Sequence, residues 1–296
     1  MVENRRWPGI RPARKLHRRT KLAALQAAVS ALILLYSLLP LYWLLRTSLI
    51  SKEDLLKAPP ALLPSPATAE HFARILGLDG SSHVISANFV RAFWNSAAVC
   101  LGATAAVCAI AVLAGYVFAR WRFPGSRALF GLLLVTMVLP AYSVMLPLYR
   151  VMTALSLIDT GLGLGLIYVS AFMPLAVWLM RSFFLTVPIE LEEAAQMDGA
   201  GRWRQLFLVL PLAAPGLISA ATITFLSCWS QYAIPLVFAS SKAQPVTVFL
   251  STLVGKTSVE YGLMAAGGVL SILPPLLVAV FLNRYLVAGL MKGAGR

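Results

Sequence analysis

Long apolar runs separated by short polar segments make up most of the chain. Six of these runs are long enough to cross a bilayer as a helix, because about 20 apolar residues span the hydrocarbon core. They occupy residues 22–45, 89–119, 128–154, 160–184, 212–239 and 261–282. The pattern therefore predicts an all-α membrane protein whose six transmembrane helices form one domain, residues 22–290.

Prolines lie within spans three to six and predict bends there, because proline removes a backbone hydrogen bond and clashes with the preceding helical turn. These residues are Pro140, Pro147, Pro174, Pro235, Pro274 and Pro275. The second span is instead rich in alanine and glycine, which allow two helices to pack closely. The sequence therefore predicts bends in spans three to six and close helix packing at the second span.

Basic residues cluster in short segments beside the apolar runs, at the arm 1–21, the turn 120–127 and the tail 291–296. The positive-inside rule keeps such segments in the cytoplasm, so both termini are predicted to be cytoplasmic. The arm and first run resemble a signal peptide, but the run is too long, so we interpret it as an uncleaved span. The polar loops 50–88 and 240–259 then lie outside.

The composition excludes several classes of protein. A soluble domain with 59% hydrophobic residues and a mean hydropathy of +0.79 could not bury its apolar surface. The net charge of +14 comes from basic residues beside the apolar runs, where they set the orientation of the spans, so no nucleic-acid partner is expected. The three cysteines lie within apolar runs and the three histidines form no cluster with them, so neither a disulfide nor a metal site is expected.

The chain offers no evident energy source of its own. No Ser/His/Asp set follows the strand–turn–helix pattern of a nucleophile, so no catalytic residue is predicted. No apolar run contains a pair of carboxylates that would couple transport to protons or sodium ions. Any work that this membrane protein performs must therefore come from a partner.

The polar segment 185–211 concentrates the scarce acidic residues of the chain. Glu190, Glu192, Glu193 and Asp198 are four of only eleven acids, and they fall within nine residues. Carboxylates in a first helical turn are favoured by the helix dipole. The segment therefore predicts a cytoplasmic helix that presents negative charge.

Its boundaries also carry helix signals. Pro188 suits a first helical position, and Gly199 suits a left-handed C-terminal cap. Helical spacing places Leu191, Ala194, Ala195 and Asp198 on one face, where the alanines would let another protein approach. The alternative is an amphipathic helix lying on lipid headgroups, which the acids disfavour because anionic headgroups repel carboxylates.

Polar and aromatic residues without charge lie in or at the ends of the spans, and they suit a neutral polyhydroxy solute better than an ion. The candidates for a solute pathway are Tyr142, Tyr168, Ser227, Trp229, Ser230, Gln231 and Tyr232. The alternative is that such hydroxyls bond to their own helix backbone. The cluster 229–232 is favoured, because glutamine at membrane depth is costly unless it faces a cavity.

The run Glu193-Ala194-Ala195, with Gly199 and then Leu210-Pro211, resembles the EAA loop of ABC-importer permeases. The segments 181–200, 119–125, 139–149 and 284–294 resemble the MalG-type permeases of carbohydrate importers. This resemblance implies the type I ABC importer permease fold in a bacterial plasma (inner) membrane. It also implies a sugar, a di- or oligosaccharide, as the solute.

The resemblance further implies a division of labour among subunits. The chain would pair with a second, MalF-like permease, two nucleotide-binding ATPase subunits and an extracytoplasmic solute-binding protein. It would bind no cofactor and catalyse nothing, because ATP and Mg²⁺ are used by the ATPases. The residues implied in ATPase docking are Glu192, Glu193, Ala194, Ala195, Asp198 and Gly199.

Two departures from the family pattern leave alternatives open. The stretch from Gly199 to Pro211 is one residue shorter than expected, and Ser230-Gln231 replaces the Asn-Asp or Asn-Glu that often follows the tryptophan. A permease for glycerol phosphate or another polar solute is the alternative within the class, since Arg46, Arg91 and Arg150 lie near the outer ends of spans. A stand-alone channel or facilitator is the alternative from a different class.

Overall fold

The computed structural model describes residues 13–57, 62–80, 83–255 and 259–294, which fold as helices and connecting turns. Most of the predicted basic arm lies outside these residues, as do the last two residues of the predicted tail. In the described ranges the α-helices are α1 (Ala13–Ser48), α2 (Glu70–Leu76), α3 (His83–Arg120), α4 (Ser126–Val135), α5 (Ala141–Ala154), α6 (Gly161–Phe184), α7 (Glu190–Met197), α8 (Arg202–Val209), α9 (Ala214–Trp229), α10 (Ala233–Phe238), α11 (Val246–Thr252) and α12 (Tyr261–Ala294).

Four helical segments are long and apolar enough to cross a membrane unbroken. They are Ala24–Ser48, His83–Arg120, Gly161–Phe184 and Tyr261–Leu282. Two further spans are bent: one combines α4 with α5 at 104°, and the other combines α8 with α9 at 78°. Counting each bent pair as one span confirms the predicted six-span, all-α architecture, whereas the cytoplasmic position of the termini stays a prediction.

The fifth span differs from the prediction of one helix over 212–239. Helix α9 ends at Trp229, the chain leaves helical geometry at 230–232, and α10 follows. The sixteen residues of α9 rise only about 24 Å, which is less than the ~30 Å hydrocarbon core. The span therefore depends on a neighbouring element to reach both interfaces.

The predicted proline bends are only partly observed. Pro140 marks the sharp corner of the third span, with extended backbone at φ −66° and ψ 122° immediately before α5. Pro147 and Pro174 instead lie inside α5 and α6, which continue through them. The predicted outer loops also contain α2, the start of α3 and α11, so these loops are more ordered than expected.

Helix α3 packs most extensively on α6 and forms the centre of the bundle. The two helices cross closely at Gly115, where an added Cβ would lie 2.8 Å from the Met180 Cβ. One buried cluster includes Tyr168 and Trp229, and a second includes Val107 and residues near the C-terminus of α6. The α3–α6 pair is therefore the unit against which the other elements are positioned.

Trp229 compensates for the two consecutive prolines of α12. Within a helix the Ser271 carbonyl would accept from residue 275 or, in a tighter turn, from residue 274, but proline has no N–H. The Trp229 Nε1–H donates to that carbonyl at 3.0 Å, and the contact is buried. The indole therefore ties α9 to α12 and satisfies a backbone group that would otherwise be costly in an apolar environment.

Asp159 fastens the start of α6 to the segment that follows α10. It adopts the left-handed region at φ 56°, and its carboxylate accepts from the backbone N–H groups of Ser241, Lys242 and Ala243 at 2.8–3.3 Å. Burial alone would raise the pKa of Asp159, but these hydrogen bonds outweigh it and hold the pKa below the ordinary value of 3.8. The ionised carboxylate is therefore the form that stabilises this connection.

Helix α3 holds the same segment from the other side. The Asn95 Nδ2 group donates to the carbonyls of Lys242 and Gln244 at 3.0 and 3.1 Å. The Ser96 hydroxyl accepts from the Val246 N–H at 2.9 Å. Helix α3 and the connection before α6 therefore fix the chain on the far side of the break at 230–232.

We predict that Trp229→Phe lowers the free energy of unfolding by about 1–3 kcal/mol, because the Ser271 carbonyl loses its donor. Adding Pro275→Ala to this variant should recover most of the loss by restoring an N–H within α12. Thermal unfolding of the purified protein in detergent measures both effects. As a control, Pro174→Ala in α6 should change the unfolding temperature of wild type and of Trp229→Phe by the same amount. If Pro174→Ala rescued Trp229→Phe as well as Pro275→Ala does, the role assigned to the Trp229–Ser271 bond would be contradicted.

We also predict that Asp159→Asn lowers stability at pH 7 by about 1 kcal/mol, since asparagine tolerates the positive φ but lacks the charge. The folded-state pKa is depressed, so the contribution of the carboxylate is present above about pH 4 and lost as the pH falls through the folded-state value. The unfolding midpoints of wild type and variant should therefore converge on acidification. Glu190→Gln serves as the exposed control, and a constant gap across pH would refute the assignment.

Candidate functional site

The acidic segment forms a helical hairpin composed of α7 and α8. The Ile189 carbonyl accepts the N–H groups of Glu192 and Glu193, so α7 begins after Ile189. Pro188 therefore precedes the helix and does not occupy its first position as predicted. The predicted left-handed turn is confirmed at Gly199, whose φ is 78°.

Most of the predicted docking residues lie on the exposed surface of this hairpin. Glu193, Ala194, Asp198 and Gly199 are exposed, and Ala195 is half-buried. The neighbouring Met197 has 88% of its surface accessible, although it is apolar. The hairpin therefore presents carboxylates, small residues and an apolar side chain together, a combination suited to contact with another protein.

Glu192 is a correction to the predicted docking surface, because its side chain points into the bundle. It is 7% exposed, and its Oε1 accepts from Arg120 Nε at 2.6 Å. Its Oε2 accepts from the Tyr116 hydroxyl at 2.7 Å. A buried carboxylate needs such partners, and both come from the last turns of α3. Sequence reasoning missed Arg120 as a site residue because it was counted only as topogenic charge.

The turn after α3 also contacts α8. The guanidinium of Arg202 lies 4.8 Å from the centre of the Trp121 ring, a cation–π arrangement. Trp121 in turn meets the Tyr116 ring edge-on at 6.3 Å. Both helices of the hairpin are therefore attached to the same end of α3.

Two of the solute-pathway candidates are buried in the described chain. Tyr168 is 1% exposed and Trp229 is 6% exposed, and both belong to one apolar cluster. The Trp229 ring contacts Phe93 at 5.7 Å and Phe225 at 5.6 Å. The structure brings Tyr168 and Trp229 together, but as packing residues whose surfaces the neighbouring helices cover.

The other pathway candidates lie nearer the surface. Ser230 and Tyr232 are exposed at the break after α9, whereas Ser227 and Gln231 are half-buried. The Gln231 carbonyl accepts from the Thr247 hydroxyl at 2.7 Å, which holds the break against α11. Tyr142 is 74% exposed but lies on α5, apart in sequence from the others. Among these candidates, the exposed polar residues after α9 therefore lie at the break and do not include the tryptophan.

Outside the hairpin, the described titratable groups include an ion-paired cluster around Glu260. Glu260 lies between Lys52 at 2.9 Å and Arg74 at 3.6 Å. The hydrogen bond from Lys52 and the nearby positive charges lower the pKa of Glu260 despite partial burial. Among the described residues no group of three or more histidines, cysteines, aspartates and glutamates could hold a metal ion.

A known fold and a known family match the chain. A bacterial ABC transporter involved in the import of the acidic polysaccharide alginate contains a chain that superposes with a TM-score of 0.77. The match covers 94% of this chain and 99% of that one, at 22% sequence identity, and it shows the fold alone. The profile of the family described as "Binding-protein-dependent transport system inner membrane component" matches residues 111–292, which include the hairpin and the break.

Individual relatives match along most of their length. The trehalose transport system permease protein SugB of Mycobacterium tuberculosis is 32% identical over 272 residues, 90% of this chain and 96% of that protein. The diacetylchitobiose uptake system permease protein NgcG of Streptomyces coelicolor is 31% identical over 91% and 89%. The sn-glycerol-3-phosphate transport system permease protein UgpE of Agrobacterium fabrum is 30% identical over 86% and 90%. The chain belongs to the family of binding-protein-dependent transport system inner membrane components.

Proposed function

We propose that this chain is a permease subunit of an ATP-driven importer for a di- or oligosaccharide, forming half of the translocation pathway. The relatives named for trehalose and diacetylchitobiose, which match about nine-tenths of the chain, support a sugar. The exposed polar break at 230–232 supports a neutral solute, because hydroxyl and amide groups suit polyhydroxy compounds. The observation that carries the proposal is the exposed acidic hairpin.

Glycerol 3-phosphate is the second candidate, because the UgpE relatives are named for it. An anion would need cationic side chains in the pathway, and two of the three arginines near the outer span ends are engaged within the chain. Arg46 is 5% exposed and lies 4.6 Å from the Trp43 ring, and Arg91 donates to Asn88 at 2.9 Å. These contacts favour the neutral sugar over the phosphate.

The exposed face of α7 would dock in a cleft of an ATPase subunit. Glu193 would meet a basic residue there, while Ala194, Ala195 and Gly199 allow close approach and Asp198 adds charge. Glu192 is left out of this surface because its carboxylate is already bound inside the chain. Two ATPase subunits would bind ATP and Mg²⁺, and this chain would bind neither.

Coupling requires that ATP favour one of two arrangements of the helices, since a ligand shifts an equilibrium only by its differential affinity. A second, MalF-like permease would complete the pathway, and an extracytoplasmic binding protein would deliver the sugar. Such a division of labour matches a chain without a carboxylate pair in its spans. A stand-alone channel has no use for a hairpin of this kind.

Gly199→Asp is expected to reduce sugar uptake at least about tenfold in proteoliposomes that contain the assembled transporter, while ATP hydrolysis continues. The new side chain has open space but strains a backbone at φ 78° and adds charge to the docking face. Gly201→Asp is the matched control, because Gly201 has ordinary backbone and occupies the N-cap of α8, where aspartate is favoured. Normal uptake by Gly199→Asp would disprove docking through α7.

The solute is identified by purifying the complex with its binding protein and measuring thermal stabilisation of that protein by a panel of sugars and glycerol 3-phosphate. Stabilisation by a di- or oligosaccharide is expected. Stabilisation by glycerol 3-phosphate alone would replace the sugar by the second candidate. Purification without any ATPase subunit would contradict the importer assignment itself.

A further inference from the structure

We propose that Tyr116, Arg120 and Glu192 form a buried link that passes movement of α7 to the second and fourth spans. These three residues would position the docking hairpin and transmit its displacement, and would not themselves contact the ATPase. The inference rests on the proposed function, because it assumes that a partner moves α7.

The link joins one carboxylate to two donors on a single helix. Tyr116 and Arg120 are four residues apart and therefore lie on the same face of α3. They occupy both oxygens of Glu192, at 2.7 and 2.6 Å, and the side chains of the Arg120–Glu192 pair are each only 8% exposed. The contact is thus shielded from solvent and from any docked protein.

Arg120 makes a further bond that fixes the approach to α7. Its Nη2 donates to the Val187 carbonyl at 2.9 Å, in the non-helical stretch between α6 and α7. The guanidinium therefore holds both the chain entering α7 and a side chain in its first turn. Two attachment points restrict rotation as well as translation of the helix, which a single ion pair would not do.

Without this link, the connecting segments would absorb a displacement of the hairpin. Residues 185–189 and 198–201 are turns or extended backbone, so neither provides a stiff helical connection. The receiving side, in contrast, is stiff: Arg181 of α6 donates to the Phe118 carbonyl of α3 at 3.2 Å, close to the tight crossing at Gly115. A movement that reaches Arg120 is therefore imposed on α3 and α6 together.

The Arg120–Glu192 ion pair also favours discrete positions of α7 on α3 over a gradual displacement. A buried ion pair that loses one partner leaves an uncompensated charge, which is strongly unfavourable. Helix α7 therefore either stays attached to α3 or detaches at high cost, and intermediate offsets are disfavoured. That behaviour is required of an element that transmits a two-state change.

The test compares three acidic positions of α7 in the assembled transporter, with ATPase subunits and binding protein, reconstituted in proteoliposomes. Glu192→Gln should retain the ATPase subunits at wild-type stoichiometry while solute imported per ATP hydrolysed falls at least about fivefold. Glu193→Gln, on the exposed face, should instead reduce the amount of ATPase that co-purifies. Glu190→Gln, also exposed in the first turn, should change neither quantity.

A second, milder variant keeps the test informative if breaking the ion pair prevents folding. Tyr116→Phe removes one hydrogen bond but keeps the charges, and its import per ATP should fall between wild type and Glu192→Gln. If both act through one contact, the double variant should fall no further than Glu192→Gln alone. Additive losses would show separate contributions and would contradict a single link.

Two results would overturn the inference. One is wild-type import per ATP in Tyr116→Phe and Glu192→Gln. The other is loss of ATPase from Glu192→Gln to the same extent as from Glu193→Gln, which would make Glu192 a docking residue. Failure of the proposed function gives a different pattern, because neither Glu193→Gln nor Gly199→Asp would then affect ATPase binding or uptake.

Discussion

Polar groups that lie among apolar helices need hydrogen-bond partners, and for Glu192 and the Ser271 carbonyl those partners lie on another helix of the chain. The Trp229 indole N–H donates to a carbonyl that proline leaves without a donor. In the connection before α6, backbone N–H groups donate to the partly exposed carboxylate of Asp159. Glu192 is bound by two donors from α3. Each of these contacts joins elements far apart in the sequence. These hydrogen bonds therefore also fix the end of α9, the segment after α10 and the acidic hairpin in place.

The same requirement separates what the sequence predicts from what it does not. The apolar runs, the acidic helix and the left-handed Gly199 follow from local patterns, and the structure has all three. The inward direction of Glu192 depends on a partner 72 residues away, which no local pattern reveals. The short α9 also escaped prediction, because apolar residues resume directly after Ser230-Gln231, and the bond that holds the break comes from Thr247, sixteen residues further along the chain.

Internal bonding further limits which polar residues remain for partners. Trp229 and Tyr168 appeared suited to a solute by residue type, yet they are packed in one buried cluster. Ser230 and Tyr232 remain exposed at the break, and Glu193 and Asp198 remain exposed on α7. The two exposed groups lie at opposite ends of the α8–α9 segment. Under the proposed function, the α7 end would contact the ATPase and the end at the break would contact the solute.

The hairpin is connected to the bundle at both of its ends, and the two connections differ in kind. Helix α7 is held by side chains that reach α3, whereas α8 continues through a 78° corner into α9. At that corner the Val209 carbonyl accepts the N–H groups of Leu212 and Ala213, both at 3.1 Å, so the bend is itself hydrogen-bonded. Helix α9 packs on α3, α6 and α12 and ends at the break. Displacement of the hairpin would therefore reach the break at 230–232 directly along α9. Through α3 it would instead reach the segment after α10, to which Asn95 and Ser96 are hydrogen-bonded.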